Sequence, residues 1–248
     1  MIEVQNLVKS FDGKTVLKGI TLTFEPGKAN MIIGASGSGK TTLTKCMVGL
    51  HYPTSGNILY DQKDFFGLDE KAKREIRKNI GFMFQGSALF DSLTVEDNIK
   101  FTLSMFSEMT EEEMLERANF CLKRVNLENV NKLFPAELSG GMKKRVGIAR
   151  AIAMEPKYLF CDEPNSGLDP QTSVVIDNLI KEITIEYNIT TVVITHDMNS
   201  VVEIGDNISF IYQGDKWWEG DKTEILKTDN KEVVEFVYAS KFMEELRK

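Results

Sequence analysis

A glycine-rich segment near the N-terminus has the most distinctive chemistry in the sequence. It reads GASGSGKTT from Gly34 to Thr42 and fits the pattern G-x-x-x-x-G-K-[ST]. In this pattern backbone N–H groups surround phosphates, Lys40 reaches the β and γ phosphates, and the Thr41 hydroxyl is offered to Mg²⁺. The apolar MII before it predicts a strand, and TTLTKCMVGL after it predicts a helix whose N-terminus favours an anion. The predicted phosphate-binding residues are Gly34, Ala35, Ser36, Gly37, Ser38, Gly39, Lys40, Thr41 and Thr42.

An acidic pair follows a short apolar run in YLFCDEP. Tyr158 to Cys161 predict a buried strand that delivers Asp162 and Glu163 to its carboxyl end, beside the phosphate-binding segment. We expect Asp162 to hold Mg²⁺ or its water shell, and Glu163 to orient and deprotonate an attacking water. The alternative is a solvated acidic pair that simply ends a strand.

Two further polar residues close apolar strands. His196 ends TTVVITH, where a neutral imidazole could contact the γ phosphate and hold the water and Glu163 in register. Gln85 ends IGFMFQ, where its amide could reach Mg²⁺ or the water. Taken alone, a histidine such as His196 is more often a structural or surface residue, and Gln85 could equally be either; His51 is given only the structural interpretation.

A second glycine-rich turn, in ELSGGMKKR, lies about a hundred residues downstream. It places Ser139, Gly140 and Gly141 at the N-terminus of a predicted helix, where free N–H groups and the helix dipole favour an anion. The first loop already surrounds one side of a triphosphate. A second anion site on the same chain is explained if it faces the γ phosphate bound by another copy, giving two composite sites in a head-to-tail homodimer.

The order of the remaining patterns predicts an α/β protein with a largely parallel sheet. In TEEEMLERANFCLKRV, Thr110 is a candidate N-cap and Glu113 its capping-box partner. Residues 86 to 135 lack a strand pattern and look like a helical insertion. Strands are predicted at Ile2 to Val8, Leu17 to Phe24, Asn30 to Ile33, Asn57 to Tyr60, Ile80 to Phe84, Tyr158 to Cys161, Thr191 to Thr195 and Ile208 to Tyr212.

Length and composition limit the classes of protein. A chain of 248 residues can bury a full core, and we expect one domain with an inserted subdomain. The net charge of −7 argues against a nucleic-acid partner. No apolar run reaches the roughly 20 residues that span a bilayer, and a secretion signal is not apparent, so the chain is expected in the cytosol. Cys46, Cys121 and Cys161 are far apart and predict buried apolar residues.

The combined motifs resemble the nucleotide-binding subunits of ABC transporters. They are GASGSGKT, Gln85, LSGGM, LFCDEP, SGLD at Ser166 to Asp169, and His196. The resemblance implies a P-loop NTPase of the ABC type with a RecA-like core, an N-terminal antiparallel β-subdomain and an inserted helical subdomain at about 86–150, within an ATPase domain at 1–227. It also implies ATP and Mg²⁺ as cofactors, with Thr41, Gln85 and Asp162 as metal ligands, Phe11 stacked on adenine, and Asp169 communicating between two sites.

A narrower resemblance concerns the transported substrate. LSGGMKKRVGIARAIA and MFQGSALFDSLTVEDNI are similar to the ATPase of Mla-type phospholipid transporters, and Met142 replaces the usual Gln of the family signature. This implies a peripheral protein on the cytoplasmic face of the inner membrane, with permease subunits and an MCE-domain protein as partners. The alternatives are the ATPase of an importer for a small polar solute, and a regulatory scaffold or DNA-maintenance ATPase outside transport. Neither the coiled-coil insertion nor the basic face that the DNA function predicts is apparent.

The C-terminal segment 228–248 predicts a helical tail that begins near Lys231. Val234, Tyr238, Phe242 and Leu246 recur every four residues, with Val237 beside them, so the helix has an apolar stripe. The stripe either packs on its own domain or, as the Mla-type resemblance suggests, clasps the partner subunit.

Overall fold

A six-stranded sheet organises the computed structural model of the chain, which describes residues 1–238. The strand order is β10-β9-β3-β8-β7-β6; β10 runs antiparallel to β9, and the other neighbours are parallel. The two central strands are buried at every residue, as expected for a parallel sheet whose two faces are both covered. Its strands are β3 (Ala29–Ile33), β6 (Ile80–Met83), β7 (Tyr158–Asp162), β8 (Thr190–Ile194), β9 (Asn207–Tyr212) and β10 (Asp215–Gly220).

A second sheet is antiparallel and comes largely from the N-terminal part of the chain. Its order is β2-β1-β4-β5, and β1 pairs with both β2 and β4. The strands are β1 (Ile2–Phe11), β2 (Lys14–Phe24), β4 (Ser55–Tyr60) and β5 (Lys63–Asp64). The RecA-like parallel sheet and the N-terminal antiparallel sheet are thus both present, as the resemblance implied.

Helices connect and cover the strands. Thr110 and Glu113 form the predicted capping box, in which each side chain accepts from the other residue's backbone N–H. No strand is assigned between Met83 and Tyr158, a segment that is described throughout. The helices are α1 (Lys40–Met47), α2 (Glu70–Lys78), α3 (Val95–Phe106), α4 (Glu111–Arg124), α5 (Gly140–Ile152), α6 (Pro170–Glu186), α7 (Met198–Ile204), α8 (Lys222–Ile225) and α9 (Lys231–Val237), with a 3₁₀ turn at Pro135–Glu137.

Alternate residues of the parallel strands feed two hydrophobic cores. On β3, Met31 and Ile33 join one cluster and Ile32 joins the other. On β7, Leu159 lies on the first side and Phe160 on the second. This period of two is what a strand with both faces covered requires. The three cysteines are buried and free, as predicted from their spacing.

The structure corrects several boundaries and adds elements that the sequence patterns did not predict. β6 ends at Met83, so Phe84 lies outside the strand and is exposed; β8 likewise ends before Thr195. The short β5 and the edge strand β10 were not predicted. β10 contains Lys216, two tryptophans and Glu219, and the absence of a clean apolar alternation is typical of an edge strand.

Helix α9 begins at Lys231, as predicted, but its buried side differs from the predicted stripe. Val233 and Val237 are buried in the main core, whereas Val234 is only half-buried. Phe236 packs against Phe210 of β9, with ring centroids 5.2 Å apart. The described part of this helix therefore packs on its own domain, while Phe242 and Leu246 lie outside the described residues.

Candidate nucleotide-binding site

The predicted phosphate-binding segment forms a tight turn between β3 and α1. Gly39 precedes α1 with φ of 113°, and no side chain caps the helix, so the first N–H groups of α1 are free to meet a ligand. A Cβ on Gly34 would lie 2.2 Å from the Ile211 carbonyl oxygen, so only glycine fits there. Gly34 is thus explained by close backbone approach at the end of β3, and Gly37 and Gly39 by their positive φ of 80° and 113°.

Lys40 points inward over this turn. Its ammonium donates to the carbonyl oxygens of Gly34 at 2.7 Å and Ala35 at 3.1 Å. Burial lowers the pKa of the Lys40 ammonium, and the carboxylates of Glu163 and Asp162 oppose that shift. The buried Ser38 hydroxyl has no hydrogen-bond partner among the described residues. The Lys40 ammonium is held by two main-chain carbonyls, and the buried Ser38 hydroxyl lacks a hydrogen-bond partner among the described residues. Both observations fit a loop that binds phosphate.

A cavity of about 730 Å³ opens between this turn and the ends of β7 and β8. It brings together the phosphate turn, Gln85, the acidic pair and His196, which are far apart in sequence, as the parallel-sheet argument predicts. Val16, Ile194 and Phe236 also line it, and these three were not predicted. The predicted residues on its wall are Ala35, Ser36, Gly37, Gly39, Lys40, Thr41, Thr42, Gln85, Asp162, Glu163 and His196.

The acidic pair occupies two different environments. Burial raises the pKa of the Asp162 carboxyl, and the neighbouring Glu163 raises it further, while Lys40, Lys45 and Lys144 oppose the shift. Two adjacent carboxylates at a strand end favour a bound cation, because a divalent ion relieves their repulsion. Thr41 and Gln85 line the same cavity as the acidic pair. The cavity wall therefore offers oxygen ligands of the type that Mg²⁺ prefers. The donor set therefore fits Mg²⁺ bound together with a phosphate.

Glu163 is held in an unusual backbone conformation. Its φ is 47°, in the left-handed region that costs a non-glycine residue about 1–3 kcal/mol. Its N–H donates to Ile194 O at 2.8 Å, and its carbonyl accepts from the Lys144 ammonium at 3.1 Å. These bonds fix the start of the turn after β7. The strained conformation of Glu163 is thus held by hydrogen bonds to both its N–H and its carbonyl group.

His196 contacts the Glu163 carboxylate, with 2.8 Å between Nδ1 and Oε1. The His196 side chain is 66% exposed and that of Glu163 only 14%, so the ring covers the carboxylate from the solvent side. When Glu163 is ionised, Nδ1–H donates to it and fixes the ring orientation. Gln85 lies 3.5 Å from the Ser166 hydroxyl, measured from its Nε2 atom.

The second glycine-rich turn lies outside this cavity. Ser139 caps α5 by accepting from the Met142 N–H at 3.2 Å, and Ser139 and Gly140 are exposed. Asp169 caps α6 in the same manner, accepting from the Thr172 N–H at 3.0 Å. The two helix starts are adjacent: a Cβ on Gly141 would lie 2.6 Å from Thr172 Cγ2. Ser139, Gly140 and Asp169 are thus exposed, Gly141 is buried against Thr172, and none of the four lines the cavity of the chain's own phosphate turn.

Phe11, like the second glycine-rich turn, does not line the cavity. It is exposed at the end of β1, packs edge-on against His51 with centroids 5.3 Å apart, and lies under the Lys9 ammonium at 4.6 Å. An exposed ring of this kind is free to stack on a base. Its role with adenine stays a prediction.

The sequence matches a protein-family model described as ABC transporter over residues 17–166. It is 42% identical to the methionine import ATP-binding protein MetN 2 of Bacillus cereus over 91% of this chain and 67% of that protein. It is 35% identical to the probable ribonucleotide transport ATP-binding protein mkl of Mycobacterium bovis, over 95% of this chain and 66% of that protein. The chain therefore spans about two thirds of the length of these relatives.

Two solved structures share this fold. One is the dimeric post-hydrolysis state of MJ0796 bound to ADP and Pi, with a TM-score of 0.82 and 34% identity over 90% of this chain and 99% of that one. The other is cbiO1 from Clostridium perfringens, part of the transporter complex cbiONQ, with a TM-score of 0.85 and 32% identity over 100% of this chain and 98% of that one.

Proposed function

This chain belongs to the ABC transporter family as an ATP-binding subunit with an ATPase domain, and on that basis we propose that two copies form a homodimer that drives a membrane permease. ABC ATPases use ATP with Mg²⁺. The observation that carries the proposal is the separation of the two glycine-rich helix starts: the first residues of α1 line the cavity, whereas Ser139 and Gly140 at the start of α5 are exposed outside it. A head-to-tail dimer would bring the α5 start of one copy over the cavity of the other.

The roles of the site residues follow from their positions. The turn from Gly34 to Thr42 would hold the triphosphate through backbone N–H groups, and Lys40 would move from its carbonyl partners to the phosphates. Thr41, Asp162 and Gln85 would hold Mg²⁺. The bound ion supplies Lewis-acid stabilisation of charge on the phosphoryl oxygens.

Glu163 would take the proton from the attacking water at its carboxylate. The strained backbone and the His196 contact hold this carboxylate in one orientation, which is what a general base requires. With the His196 ring neutral and Nδ1–H donating to Glu163, Nε2 is an acceptor, so contact with a phosphate oxygen requires a protonated ring or a ring that has turned. The ring thus acts first as an orienting group for Glu163.

Nucleotide binding would close the dimer, and hydrolysis would reopen it. Each γ phosphate would be contacted by residues of both copies, so its loss removes contacts across the interface. Asp169, adjacent to the α5 start on the same exposed face, would link the two sites. Among the described residues, no helix is long and apolar enough to span a membrane, and we propose that the protein associates peripherally with the cytoplasmic side through its permease.

For the transported substrate we propose a phospholipid, moved by an Mla-type complex that includes an MCE-domain protein. The support is local: Met142 directly follows the Ser139–Gly141 turn, and the segment from Met83 to Ile99 resembles the Mla-type sequence. The ATPase does not touch the substrate in this architecture. Similarity over the whole ATPase domain therefore carries little information on what is transported.

The second candidate is import of a small polar solute. It is favoured by the names of two relatives, a methionine import protein at 42% identity and a probable ribonucleotide transport protein at 35%, because both names describe a small polar solute. A regulatory scaffold outside transport is the third possibility raised by the sequence, and no contact in the structure favours it.

The test is to purify the chain with its permease from native membranes and identify the subunits and co-purified lipids by mass spectrometry. We expect a multi-span permease, an MCE-domain protein and phospholipid above the level of a mock purification. An importer would yield a permease with a solute-binding protein. Recovery of the ATPase without any multi-span protein would contradict both transport proposals.

A further inference from the structure

One face of α5 carries two buried cations that are directed at the loop after β6. Lys144 and Arg150, with Gly147 between them, recur every three residues and so lie along one side of the helix. Arg150 donates to Ser87 O at 2.6 Å and to Ala88 O at 2.8 Å. A Cβ on Gly147 would lie 3.3 Å from the Ser87 Cβ, so the helix and the loop are in close contact.

Lys144 extends this contact to a second loop. Its ammonium donates to the Gln85 carbonyl oxygen and, at 3.1 Å, to the Glu163 carbonyl oxygen. The residue is only 5% exposed. A single buried cation therefore bridges the main chain of the proposed metal ligand and that of the proposed general base, from the helix whose first turn contains Ser139 to Gly141.

Burying the charge of Lys144 costs free energy, which indicates that the ammonium has a specific structural role. Burial lowers the pKa of the Lys144 ammonium, and the Glu163 and Asp162 carboxylates oppose that shift. An apolar residue of the same length would fill the space without that desolvation cost. What an apolar residue lacks is the attraction for carbonyl oxygens, and Glu163 with φ of 47° is a residue whose carbonyl direction needs to be held.

From this geometry we infer that Lys144 is a positioning residue: it fixes the Glu163 main chain relative to Gln85 and couples both to the helix start that would bind the partner's nucleotide. The inference rests on the proposed roles of Glu163 and Gln85. Ligand contact at the start of α5 would be transmitted along one helix to the general base of the same chain. Arg150 holds the other end of the Gln85–Ala88 loop, so the loop follows α5 as a unit.

The experiment compares Lys144→Met, Lys144→Gln and Lys144→Arg with the matched control Lys143→Met, which removes the same charge from the preceding residue of the helix. The first readout is amide hydrogen exchange of the nucleotide-free protein. The Ser87 amide, bonded to Phe84 O at 2.8 Å, and the Ser166 amide, bonded to Glu163 O at 3.2 Å, report on the two loops. We expect both to exchange about tenfold faster in Lys144→Met, as loss of one charge-assisted hydrogen bond implies.

The second readout is steady-state ATP hydrolysis. Lys144→Met should lower kcat by about 10- to 100-fold, the cost of a misplaced catalytic group, with KM for ATP within about threefold. Lys144→Arg should recover most of both readouts, Lys144→Gln should be intermediate, and Lys143→Met should match the wild type. If Lys144→Met does not fold, Lys144→Gln takes its place.

Unchanged exchange at Ser87 and Ser166 in Lys144→Met would overturn the inference. So would an equal loss of kcat in Lys143→Met, because the effect would then follow the helix charge and not the carbonyl contacts. The exchange measurement needs no nucleotide. Faster exchange in a chain whose wild type hydrolyses no ATP would refute the proposed function and leave the coupling of the loops intact.

Discussion

Asp177 on α6 is a buried carboxylate, and replacing it by asparagine should stabilise the protein at alkaline pH. The residue is 2% exposed, and its Oδ1 accepts from Asn165 Nδ2 at 2.8 Å. Asn165 also donates to the Ser200 hydroxyl at 2.8 Å. The side chain of Asn165 therefore connects the loop after Glu163 both to α6 and to α7, the helix that follows His196. Burial raises the pKa of Asp177 to about 6, against the opposing hydrogen bonds from Asn165 and Ser200.

The magnitude and the sign follow from that shift. The ordinary value for aspartate is 3.8, so the folded pKa is raised by about two units, or about 3 kcal/mol. A carboxyl with a raised folded pKa favours folding in its protonated form. This stabilisation is complete below the unfolded pKa near 4 and is lost as the pH rises through 6. At pH 8 the ionised Asp177 therefore lowers the free energy of unfolding of the wild type, whereas the neutral side chain in Asp177→Asn does not.

The assay is urea unfolding of the nucleotide-free protein, followed by fluorescence of Trp217 and Trp218, at several values between pH 5 and pH 8. The gain of Asp177→Asn over the wild type should approach about 3 kcal/mol at pH 8 and shrink toward pH 5. Asp221→Asn is the control with the opposite sign, because amides of Glu224 and Thr223 lower the pKa of Asp221. An Asp177→Asn protein that is no more stable than the wild type at pH 8, or whose gain is independent of pH, would refute the reasoning.

Two further predictions concern the catalytic residue and the C-terminal helix. Glu163→Gln should keep ATP binding, measured with a fluorescent ATP analogue, while turnover falls by about 10²–10⁴; wild-type turnover would remove Glu163 from its role. Deleting residues 231–248 should lower the melting temperature, because Val233 and Val237 lose burial of about 1.5–3 kcal/mol each. Deleting only 239–248 should weaken dimerisation if the tail clasps the partner; unchanged dimerisation, measured by analytical ultracentrifugation, would exclude the clasp.

The residues of the cavity were predictable because their positions follow from strand ends. The strands before Asp162 and His196 are buried and contain the apolar runs YLFC and VVI, and parallel strands deliver their carboxyl ends to one edge. The phosphate turn is a local motif, and Gly34 is required by the close approach of Ile211 O. Each of these inferences needs only a short stretch of sequence.

Other features depend on which distant elements meet. Lys144 is one of two adjacent lysines followed by Arg145, and no local pattern distinguishes it from Lys143 until the loops after β6 and β7 are placed beside α5. The same holds for Phe236, whose position in the cavity wall depends on α9 packing against β9. In α9 the periodicity allowed more than one apolar side, and contact with the core selected Val233 and Val237 over Val234.

The central claim is that each ATP site is built from two copies of the chain, and a mixed dimer tests it most directly. One copy has Lys40→Ala, and the other has Gly140→Asp, chosen because a Cβ at Gly140 meets only Leu168 Cδ2 at 3.5 Å and so leaves the fold undisturbed. Sites shared between copies leave one intact pairing, since the unaltered phosphate turn faces the unaltered α5 start. The account predicts ATP hydrolysis by the verified heterodimer at roughly half the wild-type rate, with both parent homodimers inactive. Hydrolysis no higher than that of the parents, with heterodimers shown to form, would contradict it.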